Sequence, residues 1–279
     1  MLHFQTPCDI ILLAGQSNMQ GCGGGDCSNP YQADERVLLL GNQIPTYKKD
    51  AEDKEYLELF EPWEYKISVA TLSDRGCIGH YFARQYVEKG LLKKGRKLML
   101  VYAPVGGTGF CPRAWGTGKA DQKSGLWTMD GPLYKRMLQM LDDALSLNPE
   151  NKIVGVLWHQ GEADVVDYAS VDTLCAHYER NFSALLSSVF ERYELSNTPV
   201  VAGKFVNEWA QTEKERCAQV YKATQNTLLA YNSAYLETSD LPSNNQAFGN
   251  GDTIHFCHES LRILGERYFD AYQKLLIKD

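Results

Sequence analysis

The chain has 279 residues, 44% of them hydrophobic and 23% charged, the balance of a soluble globular protein rather than a disordered one. Its formal net charge of −7 disfavours nucleic acid or an anionic membrane surface as a partner. No apolar run is long enough to span a bilayer, and Met1–Asp9 lacks a basic stretch followed by an apolar one, so the expected location is cytoplasmic.

Short apolar runs bounded by turn residues predict strands at Ile10–Ala14, Val37–Leu40, Leu98–Tyr102, Ile153–Trp158 and Pro199–Ala202, with a weaker one at Ala234–Glu237. The runs are near-continuous rather than alternating, as strands covered on both faces require. Helical periodicity lies between them, at Gly79–Lys89, Leu133–Leu147, Val171–Tyr193, Glu213–Tyr231 and Glu259–Leu276. Strands alternating with helices predict a parallel sheet with helices on both faces, and ligand sites in such sheets lie at the carboxyl ends of the strands. No linker or repeat divides the sequence, so residues 1–279 read as one domain. The stretch from Asn42 to Asp74 has no clear periodicity and reads as a surface excursion, with Trp63 open to a role at a substrate rim.

The eight cysteines, Cys8, Cys22, Cys27, Cys77, Cys111, Cys175, Cys217 and Cys257, form no Cys-x-x-Cys pair and no Cys/His cluster at zinc spacing. Cys22 and Cys27 are close enough in sequence to pair, but a chain of this kind is expected to keep its thiols reduced. The glycine run Gly21–Gly25 lacks the Gly-Lys-Ser/Thr of a phosphate loop and reads as a flexible loop near the site.

Polar and glycine-rich residues follow the strand ends. Gly15-Gln16-Ser17-Asn18 follows the first, Val105-Gly106-Gly107-Thr108-Gly109 the third, and His159-Gln160-Gly161-Glu162-Ala163-Asp164 the fourth; Asp252-Thr253-Ile254-His255 precedes the last helix. These residue types suit acyl transfer. A serine hydroxyl needs a base, here His255, and the base needs a carboxylate, here Asp252, to fix its tautomer and stabilise its cation. The oxyanion of a tetrahedral intermediate needs preorganised donors, for which the N–H of Ser17, the N–H of Gly107 and the side-chain amide of Gln160 are candidates. His159 reads as a residue that holds its turn, Asp164 as a cap for the segment after it, His258 as a surface or capping residue, and His80 and His177 as structural or exposed. Arg113 and Trp115 follow the glycine block: the arginine suits a sugar carboxylate and the tryptophan a sugar face, with packing or solubility as the plainer alternative.

In order, Gly15-Gln16-Ser17-Asn18-Met19, Val105-Gly106-Gly107-Thr108, His159-Gln160-Gly161-Glu162 and Asp252-Thr253-Ile254-His255-Phe256 resemble the blocks of the sialate O-acetylesterase and acetylxylan-esterase-like branch of the SGNH hydrolases, carbohydrate esterase family six. The resemblance runs from Asp9 to about Tyr272. It implies a flavodoxin-like three-layer α/β/α sandwich with a central parallel sheet. It also implies deacetylation of a carbohydrate, such as sialic acid or a xylan-type sugar, without metal or other cofactor, with Ser17 as nucleophile, His255 as base and then acid, and Asp252 as orienter. Ser17, Gly107 and Gln160 resemble the oxyanion donors. Glu162 belongs to the same blocks, either as a second carboxylate near His255 or as a residue that holds its loop by hydrogen bonding. A general short-chain esterase and a non-catalytic carbohydrate-binding homologue are the alternatives. The expected partner is an acetylated carbohydrate; the sequence does not give the oligomeric state.

Overall fold

The computed structural model describes residues 5–41, 47–49, 55–57, 66–72, 75–111 and 127–277. In chain order the elements are β1 (Cys8–Gly15), α1 (Ser17–Gln20), β2 (Val37–Gly41), β3 (Tyr47–Lys49), β4 (Glu55–Leu57), β5 (Lys66–Val69), α2 (Ile78–Glu88), β6 (Lys97–Tyr102), α3 (Pro132–Ser146), β7 (Lys152–His159), α4 (Glu162–Asp167), α5 (Val171–Arg192), β8 (Val200–Gly203), α6 (Asn207–Thr212), α7 (Lys214–Leu228), β9 (Ser233–Leu236), α8 (Asn244–Phe248) and α9 (His258–Leu276).

Among the described residues seven strands form one sheet in the order β5-β2-β6-β1-β7-β8-β9, and β3 pairs with β4 as a separate ribbon. The two faces of β1 explain its unbroken apolar run. Ile10, Leu12 and Ala14 join a core with Met137 and Met140 of α3, Tyr178 and Phe182 of α5 and Val220 of α7. Ile11 and Leu13 join the opposite core with Phe82 of α2 and Leu264, Tyr268 and Tyr272 of α9. Successive residues of a strand point to opposite faces, so a strand between two helical layers must be apolar at every position. Full burial of each such side chain contributes about 1.5–3 kcal/mol. The layers are thus the α/β/α sandwich expected.

The expectation of a parallel sheet needs one correction. Strand β5 runs antiparallel to β2, Leu38 opposite Val69 and Gly41 opposite Lys66, so the sheet is mixed. Its burial alternates between exposed and partly buried, because an edge strand shows one face to solvent. That four-residue alternation, Lys-Ile-Ser-Val, is a weak signal inside a stretch that reads as a surface excursion. Trp63, Arg113 and Trp115 lie outside the described residues. No helix among the described residues is long and apolar enough to cross a membrane.

The topology places the site. From β1 the chain runs to β2, two positions away in the sheet, and returns through β6 on one side of β1 before crossing to β7 on the other. The order reverses at β1, and crevices for ligands open at the carboxyl ends of strands at such a switch point. Ser17 follows directly from that end.

Candidate active site

Strand β1 stops because Gly15 adopts φ 135°, a region that favours glycine, and a Cβ there would lie 2.1 Å from the carbonyl oxygen of His159. The next N–H, from Gln16, donates to that same carbonyl at 2.9 Å, and the chain turns at once into the single turn of α1. Ser17 is the first residue of this turn and is 7% exposed. The glycine block follows the other edge of β1: Ala103 N–H donates to Leu13 O at 3.0 Å and Val105 N–H to Gly15 O at 3.1 Å. Gly106 then donates to Gln20 Oε1 at 2.6 Å and lies against Ser17, where a Cβ built on the glycine would be 3.5 Å from that of the serine.

His255 and Asp252 arrive from the far end of the chain. Helix α8 begins with a capping box, in which Ser243 and Gln246 satisfy each other's backbone N–H, and ends at Gly249 with φ 69°. The following loop carries the pair. His255 Nε2 lies 2.9 Å from Ser17 Oγ, and His255 Nδ1 lies 2.9 and 3.0 Å from the two oxygens of Asp252. The Asp252 carboxylate also accepts the His255 backbone N–H at 3.2 Å and Asn244 Nδ2 at 2.9 Å. Burial works to raise the Asp252 pKa; the Asn244 amide, the charge of His255 and its two N–H groups outweigh it, so the group stays below the ordinary carboxylate value. The arrangement is a hydroxyl, an imidazole and an ionised carboxylate in series, in which a proton can leave the serine as the imidazolium is stabilised.

The residues on either side of Ser17 interlock with the turn after β7. Gln16 Oε1 accepts the N–H groups of Gly161 and Ala163 at 3.3 and 3.2 Å. Asn18 Nδ2 donates to Glu162 Oε1 at 2.8 Å and to Ile254 O at 3.1 Å, and Asn18 Oδ1 accepts the N–H of Phe256 at 3.1 Å. Glu162 touches neither Ser17 nor His255 through a hydrogen bond; of the two readings of this residue, the contacts match the loop-holding one.

The oxyanion donors divide. Among the described residues the N–H groups of Ser17 and Gly107 are not spent on other acceptors. Gln160 departs from expectation. Its amide nitrogen, inside the protein, donates to Asp164 Oδ2 at 2.8 Å and Thr108 O at 3.1 Å, with Gln16 Oε1 at 3.3 Å, while its oxygen accepts Tyr178 OH at 2.9 Å. An NH₂ has two hydrogens, so this one has none left for an oxyanion. Gln160 instead ties the glycine block to β7.

Asp164 is also corrected. It does not cap the segment after it; its buried carboxylate accepts the N–H groups of Phe110 and Cys111 and the Gln160 amide, and so holds the end of the glycine block. His258 is not a surface cap either: it is buried, with Nε2 2.7 Å from Tyr81 OH, and Cys257 occupies the N-cap of α9. His80 is buried, and His177 stacks on Tyr168 at 4.3 Å. His159 Nδ1 lies 3.0 Å from Tyr268 OH, which itself donates to Trp158 O. The glycine run is pinned at Gly23 and Gly24 to Gly76, Asn244 and His258. No disulfide joins any of the eight cysteines. Asn244, which orients Asp252 and bonds Gly24 N–H and Cys22 O, carries no sequence signal beyond its place in a Ser-Asn-Asn-Gln capping box.

Burial shapes the charges beneath the site. It pushes Glu162 up to about 7 and Asp164 up to about 6, and drives His159 down to about 3. For Glu162 the folded value lies above the 4.5 of a free carboxyl, so between those values the folded protein keeps a proton the unfolded chain has released. Its stabilising contribution is present below the lower value and is lost as pH rises through the upper one. The melting temperature of the wild type is therefore expected to fall, relative to Glu162→Gln, between about pH 5 and about pH 8. Parallel curves for the two proteins over that range contradict it.

The described residues thus form an α/β protein with helices on both faces of a mixed sheet, and Ser17, His255 and Asp252 meet at its switch point. The sequence matches the family of carbohydrate esterases described as sialic acid-specific acetylesterase over residues 7–274, and the protein belongs to that family. It is 25% identical over 269 residues to a probable carbohydrate esterase of Arabidopsis thaliana, covering 95% of this chain and 90% of that protein. It is 28% identical over 140 residues to a probable 9-O-acetyl-N-acetylneuraminic acid deacetylase of Escherichia coli K12. That match covers 48% of this chain and 43% of the bacterial protein, less than half its length. The crystal structure of NanS superposes with a TM-score of 0.71 at 17% identity, over 98% of this chain and 99% of that one. A carbohydrate acetylesterase from Xanthomonas citri superposes at 0.62 and 18% identity, over 97% of this chain and 57% of that one. These two likenesses concern the fold.

Proposed function

We propose that this protein is a serine esterase that removes O-acetyl groups from a carbohydrate, with Ser17 as nucleophile. The observation that carries the proposal is the unbroken series from Ser17 Oγ through His255 to Asp252, each link at 2.9 Å. Membership of the carbohydrate esterase family supports the acetylated sugar as substrate, and the names of the bacterial and plant relatives point the same way.

As Ser17 Oγ attacks the acetyl carbonyl, His255 Nε2 takes the hydroxyl proton. The imidazolium formed is stabilised by Asp252 at Nδ1. The oxyanion of the tetrahedral intermediate is held by the N–H groups of Ser17 and Gly107, with Gln160 fixing the loop that carries Gly107 rather than donating. Collapse expels the sugar oxygen, which receives the proton from His255, and leaves an acetyl-enzyme. A water activated by the same nitrogen attacks that ester, and acetate leaves with Ser17 restored.

An acetate-release assay over O-acetylated sialic acid, acetylated xylan oligomers and simple acyl esters tests the reading, with a serine-directed phosphonate as a second probe. Acetate from at least one sugar, faster than from the simple esters, and a mass adduct on Ser17 are expected. Turnover of simple esters alone makes the protein a general short-chain esterase. No adduct and no acetate makes it a binding homologue.

A further inference from the structure

We propose that Glu162 and Asn18 form an orienting lock on the catalytic histidine. Glu162 sets which way round the Asn18 amide stands, and that amide sets where His255 stands relative to Ser17. The proposal rests on the catalytic reading of Ser17 and His255 given above.

An amide has a donor end and an acceptor end, so its direction matters. Here the two hydrogens of Asn18 Nδ2 go to Glu162 Oε1 and to Ile254 O, and Asn18 Oδ1 takes the N–H of Phe256. Ile254 and Phe256 are the chain neighbours of His255, and Asn18 is the chain neighbour of Ser17. One side chain therefore brackets the base on both sides and ties it to the residue beside the nucleophile. Turned over, the amide would set its oxygen against the Glu162 carboxyl and the Ile254 carbonyl, and its nitrogen against the N–H of Phe256. Three hydrogen bonds would become three repulsions away from bulk solvent, since Asn18 and Glu162 are both fully buried.

Glu162 makes the choice of direction. Its Oε1 can only accept from Asn18, and a proton taken up by the carboxyl belongs on Oε2, which is buried without a partner among the described residues. The acceptor facing Asn18 thus persists in either charge state. Glu162 is itself held at the first residue of α4, whose leading N–H groups are gathered by Gln16 Oε1, so the reference point of the lock is fixed from the other side of Ser17. Because Glu162 bonds neither the serine nor the histidine, it is a positioning residue, and buried outer partners of this kind typically tune activity about 10- to 100-fold.

The test uses the full chain and two readouts: steady-state acetate release and the rate of phosphonate labelling of Ser17. Asn18→Ala and Glu162→Leu are expected to lower kcat about 100-fold with KM within about threefold of wild type, and to slow labelling in step, in protein that remains folded by circular dichroism. Glu162→Gln, which keeps an oxygen for Asn18, is expected to recover at least about tenfold over Glu162→Leu. If Glu162→Leu does not fold, Asn18→Asp replaces it: this near-isosteric change sets a carboxylate against Glu162 and is expected to be slow, and adding Glu162→Gln, which can donate to that carboxylate, is expected to restore part of the rate. Equal activity of the Gln and Leu variants, losses confined to KM, or no gain in the double variant would overturn the lock. Ser17→Ala separates the two readings. If it is inactive while folded Glu162→Leu turns over normally, only the lock fails; if it is active, the nucleophile assignment fails first.

Discussion

Ser17→Ala is expected to lower acetyl-ester hydrolysis by about 10⁴-fold or more while the melting temperature hardly moves. The two halves of that outcome have separate causes. In the proposed mechanism the hydroxyl is the atom that forms the acetyl-enzyme, and His255 Nε2 stands 2.9 Å from it as its base. The fold does not depend on it. Gln16 and Asn18, on either side, make the bonds that fix the turn, and the Ser17 backbone carbonyl, which accepts Gly21 N–H at 2.9 Å, is retained by alanine. Steady-state acetate release and calorimetry on the same preparation check both halves. Activity within tenfold of wild type would remove Ser17 from the chemistry, and a collapse of the melting temperature would assign it to the fold.

Asp252→Asn is expected to cost about 10²- to 10⁴-fold in kcat, approaching the loss at Ser17. In the wild type both carboxylate oxygens stand within 3.0 Å of His255 Nδ1, so that nitrogen carries the proton and Nε2 is left bare to accept from serine. An asparagine amide can present its NH₂ to Nδ1 and drive the proton to Nε2, the wrong tautomer for a base. Asn244 adds a bias, because it donates to Asp252 Oδ2 and so favours an acceptor there. The charge is lost as well, and with it the stabilisation of the imidazolium. The wild-type Asp252 carboxyl lies below its ordinary value, so it remains ionised above the usual carboxylate range and yields its contribution only as pH falls through the lowered folded value. A pH–rate comparison of wild type and Asp252→Asn, with kcat and KM separated, is the measurement. A loss of less than about tenfold would remove the orienting role from Asp252.

What the sequence made legible follows from which forces act locally. The strands buried on both faces and the five long helices announce themselves, since continuous apolar runs and 3.6-residue periodicity follow directly from two-sided and one-sided burial. The short helices after the strand ends do not. Helix α1 and helix α4 are single-purpose turns, held by Gln16, Asn18 and backbone bonds across the sheet rather than by their own periodicity. The same division holds at the site. Ser17, His255 and Asp252 stand out in the sequence because the chemistry proposed for them demands particular side chains. The oxyanion role expected of Gln160 was a matter of direction: its partners Thr108, Asp164 and Tyr178 come from three separate segments, and no spacing reveals where an amide points. His258 is similar, its burial set by Tyr81 on a helix 177 positions away.

The attachment of the base through Asn18 has a consequence for synthesis. Ser17 and His255 lie 238 positions apart, and at ribosomal rates of about 5–20 residues per second the interval between them is on the order of ten to fifty seconds. Throughout that interval the serine is an ordinary alcohol, because its base has not yet been made. In the folded chain Phe269 and Tyr272 of α9 pack against Phe82 of α2, at ring distances of 5.8 and 5.2 Å, and Ile254 and Phe256 on either side of the base bond the Asn18 amide. On the proposed mechanism the nascent chain is thus born without reactivity, and Ser17 gains it only once residues 252–255 have been made and have reached it.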